Sequence, residues 1–267
     1  MAKRTVTRIG DIFCAEIDNE YKCYFQYVGK DSYQLGGALI RVFRKRYPLD
    51  ANPSMDDITA DEVAFYTLTY IQPGTYDNAW YKVGKAPIRN EEALKDIIFG
   101  NPRRYMTDMA TLDTYDVNPL EHWFVRYFNC YAVDLGVLPE KLKTSVEWDS
   151  VHPYSDVVDR MRYGYFKATG FFYTVVKRIP WPDVHSYTMS KNIENGDMHY
   201  YHFLGNVAAR EVIVRPDGKI IRLIGSNPER DGYRLYSRDF GDINWHYLDF
   251  LTREEFESMW ELGKIDG

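Results

Sequence analysis

Arg8-Ile9-Gly10-Asp11-Ile12-Phe13-Cys14-Ala15-Glu16-Ile17-Asp18-Asn19-Glu20-Tyr21-Lys22-Cys23-Tyr24-Phe25-Gln26-Tyr27-Val28 is the stretch on which the fold class turns. Two runs rich in aromatic and β-branched residues, 12–17 and 21–28, flank the polar connection Asp18-Asn19-Glu20, and this is the pattern of a β-hairpin. In the second run Tyr21, Cys23, Phe25 and Tyr27 fall on one face, with Lys22, Tyr24, Gln26 and Val28 on the other, so one face is expected to be the drier.

Similar runs recur at 38–46, 63–71, 80–83 and 123–133, and helices are expected near 91–99 and 156–163, the second with Ser155 as its cap. After Gly164 the texture changes. Runs 207–214 and 219–224 flank Arg215-Pro216-Asp217-Gly218, a tight-turn sequence, and the chain ends in a helix over 252–262. That helix is capped by Thr252 and Glu255 and striped by Phe256, Met259 and Trp260. The reading is an α+β, β-rich protein: a mostly antiparallel β domain over 1–167, barrel-like or with a strongly curved sheet, and a smaller α+β domain over 168–267.

With 267 residues, 45% of them hydrophobic and a formal net charge of −6, the chain has the composition of a soluble globular protein. The charge balance argues against an extended nucleic-acid surface, which needs many lysines and arginines to displace counterions. The clusters Arg44-Lys45-Arg46 and Arg103-Arg104 are short, and no apolar run approaches the roughly 20 residues of a membrane helix. Three cysteines, Cys14, Cys23 and Cys130, form neither a disulfide framework nor a zinc spacing, which fits a reducing cytoplasm. Acids gather in 50–62 (Asp56, Asp57, Asp61 and Glu62 among them) and in 239–267, where Glu254, Glu255 and Glu257 lie on the final helix.

Catalytic patterns are weak. Cys14 and Cys23 lie inside apolar runs, where a thiol behaves as a small hydrophobe. His199 and His202 share a face only in a helix, and their aromatic neighbourhood reads as a strand. Gly36-Gly37 lacks the remaining parts of a phosphate cradle. No catalytic residue, metal ligand or cofactor is assigned.

The segment Arg8-Ile9-Gly10-Asp11-Ile12-Phe13, leading through a turn into Tyr24-Phe25-Gln26-Tyr27-Val28, resembles the start of the immunity protein 26 family of bacterial polymorphic toxin systems. Gly10 and Asp11 match its Gly-Asp dipeptide, and Trp80-Tyr81-Lys82-Val83-Gly84 and Asp156-Val157-Val158-Asp159-Arg160-Met161 look like later parts of such chains, a likeness over residues 5–165. The resemblance implies a cytoplasmic, non-catalytic module that binds and blocks a cognate toxin. The acids Asp56, Asp57, Asp61, Glu62, Glu254, Glu255 and Glu257 would then meet a basic toxin, with Trp80, Trp181, Trp245 and Tyr247 as aromatic anchors. Two other classes are weighed against it: a hydrolase with a site between the two domains, using Asp11 or a histidine as acid/base group, and a homo-oligomeric scaffold.

Overall fold

The structure is a computed structural model that describes residues 6–167, 176, 179–243, 245–246 and 249–262. These fall into two compact units, one running to Arg162 with residue 176 added, the other holding the described residues from Tyr163 onward.

The first unit opens with β1 (Asp11–Ile17) and β2 (Tyr21–Lys30), paired with Ile17 opposite Tyr21. Asp18 and Asn19 both take left-handed backbone angles, φ 53° and 54°, which is what the tight turn between right-twisted strands demands. There follow β3 (Ala38–Phe43), β4 (Tyr47–Pro48), α1 (Met55–Thr59), β5 (Val63–Thr69), α2 (Ile71–Tyr76) and β6 (Tyr81–Lys85). Next come β7 (Ile98–Pro102), β8 (Tyr105–Thr107), β9 (Thr114–Asp116), β10 (Trp123–Tyr127), β11 (Val133–Asp134), β12 (Glu147–Trp148), β13 (Val151–His152) and α3 (Tyr154–Tyr163).

The main sheet has the order β13-β5-β3-β2-β1-β6, with β4 beside β2. A second sheet is ordered β11-β10-β7-β12, and β8 and β9 form a separate hairpin. Both larger sheets of this unit are mixed, because β13 runs parallel to β5 and β12 parallel to β7. The expectation of a barrel or a strongly curved sheet is therefore corrected: the main sheet is open, its edges are β6 and β13, and no sheet among the described residues closes on itself. Closure requires the first and last strands to pair. Here β13 is two residues long and leads at once into α3, while β6 is an exposed edge carrying Lys82 and Lys85, charges of the kind that discourage further strand pairing.

Nor is one face of β2 drier. Ile12, Cys14, Tyr24, Phe43 and Tyr47 pack against Ile58 of α1, and Val28, Leu39 and Leu68 pack against Leu94, Ile97 and Phe99. On the opposite face Phe13 stacks on Phe25 at 5.1 Å, and Phe25 meets the edge of Trp80 at 5.0 Å. Segments between the strands and after β6 cover both faces, so polar Lys22 and Gln26 are buried with the rest. Three local expectations also shift. The run 123–133 is a hairpin of β10 and β11 rather than one strand, Arg44 to Arg46 follow the end of β3, and α3 begins at Tyr154, ahead of Ser155.

The second unit is built on an antiparallel meander of β14 (His185–Lys191), β15 (Met198–Leu204), β16 (Val207–Val214) and β17 (Ile220–Ile224). The turn Arg215–Gly218 joins β16 to β17, with Gly218 at φ 84°. A short hairpin of β18 (Glu229–Arg230) and β19 (Tyr233–Arg234) follows, and the last element is α4 (Arg253–Leu262). One face of the meander buries Tyr201, Phe203 and Ala208 against Tyr165, Phe240 and Trp245. The other carries α4, whose Phe256 packs on Tyr187 and His202.

Candidate functional site

The Gly10-Asp11 dipeptide sits where β1 begins. Gly10 adopts φ 93°, and a β-carbon there would come within 2.8 Å of the Ala86 carbonyl oxygen, so only glycine fits. Its N–H donates to the Tyr27 carbonyl at 2.8 Å, and its own carbonyl accepts from the Ala86 N–H at 3.0 Å. Asp11 is fully buried; its Oδ2 accepts the Arg8 N–H at 2.8 Å and pairs with Lys82 Nζ at 2.8 Å. The dipeptide thus stitches β1 to β2 on one side and to β6 on the other.

Beside it lies a polar centre in an otherwise apolar face. Gln26 Nε2 donates to the carbonyls of Gly10 (3.1 Å) and Ala86 (2.8 Å), while Gln26 Oε1 accepts from Arg41 Nε (3.0 Å) and Nη2 (2.7 Å). Arg41 Nη1 reaches the Arg89 carbonyl at 2.8 Å, and burial lowers the guanidinium from its usual value. These bonds hold segment 86–89 over the sheet. Together with the Lys82 ion pair they tie the start of β1, β6 and the segment after it into one polar cluster.

At the far end of β2 a buried ion triad organises an exposed surface. Arg126 of β10 grips Asp149 through Nε (2.9 and 3.0 Å) and Nη2 (2.8 Å), and its Nη1 reaches Asp31 Oδ2 at 2.8 Å. Asp31 Oδ1 accepts the N–H groups of Tyr33 (2.9 Å) and Gln34 (2.7 Å). Burial pushes the Asp31 carboxyl up, but the Arg126 bond and the two backbone donors outweigh it and hold it below the ordinary carboxylate value. Arg126 responds in kind: burial lowers it, and Asp149 and Asp31 more than restore it.

Asn129 adds a second tie, accepting the Ser32 N–H at 2.8 Å and donating to the Lys30 carbonyl at 3.2 Å. Around these ties stand Tyr33 (43% exposed), Leu35 (81%), Tyr70 (47%) and Tyr131 (78%). The rings of Tyr33 and Tyr131 meet at 4.5 Å, and the Tyr70 hydroxyl donates to the Leu35 carbonyl at 3.0 Å. A groove of about 360 Å³ adjoins them, lined by Tyr27, Gly36, Thr69, Tyr70, Ile71 and Pro73 among others. Exposed tyrosines on a pre-ordered base are the composition of a protein-binding patch.

The acids expected to face a partner divide by task. Asp57 closes a capping box with Ser54 at the start of α1, and the Ser54 hydroxyl, then its N–H, hold the Asp57 carboxyl down. Asp61 accepts the N–H groups of Lys45 (2.6 Å) and Glu62 (2.8 Å). Asp56 and Glu62 face solvent, Asp56 with Arg89 at 3.1 Å. In the second unit Glu254 is exposed, Glu255 closes the capping box with Thr252, and Glu257 is bound to Arg210. Trp80 and Trp245 are each 1% exposed, core residues whose indole N–H groups bond to the carbonyls of Ile71 (2.9 Å) and Phe240 (3.0 Å), so as they stand they offer no aromatic surface to a partner. Trp181 is half-buried, and Tyr247 lies outside the described residues.

Cys14 and Cys23 are buried on opposite faces of the β1–β2 pair, and burial pushes both thiols up, Cys23 to about 12, away from the thiolate a nucleophile requires. His199 and His202 lie on a strand, β15. Among the described residues no group of three His, Cys, Asp or Glu side chains could hold a metal ion, and no helix is long and apolar enough to cross a membrane.

The sequence reading missed Asp31, Tyr33, Leu35, Tyr70, Arg126, Tyr131 and Asp149. One local signal was present: Asp31-Ser32-Tyr33 before Gly36-Gly37 is a turn whose aspartate can cap its own backbone and leave an aromatic outside.

Comparison with known families places residues 8–101, just over a third of the chain, in a match to the family described as immunity protein 26. The matched segment begins at the turn before β1 and ends within β7, so it holds Gly10, Asp11 and every strand of the main sheet except β13. No curated protein and no solved structure matches the chain.

Proposed function

We propose that this protein is an immunity-type inhibitor that binds a cognate bacterial toxin in the cytoplasm and blocks it without turning over a substrate. The observation that carries the reading is the immunity protein 26 match over 8–101, a segment that in this chain supplies every strand of the open main sheet except β13. The contact surface in this reading is the patch of Tyr33, Leu35, Tyr70 and Tyr131, three of whose four residues lie within the matched segment. Tyrosine supplies large contact area at low entropic cost, and the Asp31–Arg126–Asp149 triad removes part of the ordering cost in advance. Exposed Asp56 and Glu62 would speed the approach of a basic toxin.

The test is to mix the purified protein with its cognate toxin, follow complex formation by light scattering coupled to gel filtration, and assay the toxin. The reading expects a defined complex and loss of toxin activity. Unimpaired toxin activity at saturating inhibitor would overturn it.

A further inference from the structure

On the α4-covered face of the second unit's meander, Tyr187 of β14 stands opposite His202 of β15, and His202 opposite Arg210 of β16. Arg210 Nε donates to His202 Nδ1 at 2.9 Å. A guanidinium only donates, so Nδ1 carries no proton and the neutral ring holds its proton on Nε2. That Nε2 lies 2.8 Å from His185 Nδ1, which must accept in turn. The three side chains form a one-way chain of donors, Arg210 to His202 to His185, ending at a histidine exposed to solvent.

The same arginine holds the helix. Arg210 Nη1 and Nη2 donate to the Glu257 carboxylate at 3.0 and 2.5 Å, and its guanidinium lies over the rings of Phe256 (4.9 Å) and Trp260 (5.1 Å). His202 itself stacks on His185 (5.0 Å) and Tyr187 (4.7 Å) and meets Phe256 at 5.7 Å.

We propose that this chain is an acid-sensitive latch on α4: a proton added to His202 sets two donors, its own Nδ1–H and the Arg210 guanidinium, face to face, breaks the chain and loosens the helix from the sheet. The charged and titratable groups around His202 are His185 and Tyr187 from β14, Arg210 from β16, and Arg253 and Glu257 from α4, with Glu254 of α4 acting on the adjoining Tyr187. Arg222 of β17 also lies over the Trp260 ring, at 5.2 Å. Burial, then Arg210 and His185, push the His202 ring down to about 4, while the Arg210 bond holds the Glu257 carboxyl below its ordinary value. The sign follows. Between about pH 6.5, where the unfolded ring titrates, and about pH 4 the unfolded chain takes up a proton that the folded one refuses. Stability of this packing is full above that window and falls as the pH drops through it.

Hydrogen exchange of the α4 amides, corrected for intrinsic rates, tests the latch between pH 7 and pH 4. Protection in the wild type is expected to fall by about tenfold or more, one pKa unit's worth of preference. In His202→Asn, whose amide oxygen can still accept from Arg210 but takes no proton, the profile is expected to stay flat. Constant protection in the wild type, or an equal fall in the variant, overturns the proposal. Should the variant not fold, NMR titration of the wild type decides: the His202 ring and the α4 amides must share one midpoint, and separate midpoints overturn it.

Discussion

Arg126 and Asp31, 95 positions apart in sequence, meet at 2.8 Å with both side chains almost wholly out of solvent. With Asp149 on the other side of the guanidinium, this contact ties the end of β2 to β10 and to the residue after β12. Everything proposed for the tyrosine patch depends on that tie.

Removing the arginine strands two buried carboxylates. Arg126→Met is expected to destabilise the first unit by about 3–5 kcal/mol, the range for breaking one side of a buried ion pair. Arg126→Lys, which keeps the charge but loses the fork, is expected to fall between it and the wild type. Chemical unfolding monitored by tryptophan fluorescence measures both.

The triad also fixes a pH dependence. The Asp31 carboxyl is held below its unfolded value, so its contribution is complete above about pH 4 and is lost as the pH falls through the lower folded value. Acid unfolding curves of wild type and Asp31→Asn are therefore expected to converge as the pH drops below about 4. Parallel curves down to pH 2 would show that Asp31 does not titrate this way.

Gly10→Ala forces a side chain into a left-handed backbone and against the Ala86 carbonyl. The expected cost is about 1–3 kcal/mol, read as a lower unfolding midpoint with unchanged slope. Asp11→Asn loses the ion pair with Lys82 and is expected to act through stability in the same way, with toxin affinity preserved wherever the protein remains folded.

The patch is expected to respond in the opposite sense. Tyr33→Ala with Tyr131→Ala removes two exposed rings, so stability should change by less than about 1 kcal/mol while toxin affinity drops by roughly 30-fold or more, the mark of a hot spot. Calorimetric titration against the toxin and a thermal melt of the same sample separate the two effects.

Local chemistry was readable wherever it was self-contained. Asp18-Asn19 announces its turn, Asp217-Gly218 its hairpin, and Thr252 with Glu255 the start of α4, because each acts within a few residues. Sheet closure was not readable, since it depends on whether strands as distant as β6 and β13 pair. Trp80 and Trp245 sit in turn-like sequence, yet the Ile71 and Phe240 carbonyls draw their indoles inward. The patch is non-local by construction: Tyr33 meets Tyr131 only because Asn129 reaches back to Lys30 and Ser32, and Asp31 reaches Arg126.

The decisive measurement for the proposed immunity role is a hydrogen-exchange footprint of the protein in the presence of the toxin. Protection gained on binding should concentrate in residues 31–36, 69–73 and 128–133, the segments that carry the patch and its groove. Protection confined to other parts of the chain, with these three segments exchanging as in the free protein, would contradict the assignment of this surface to the toxin.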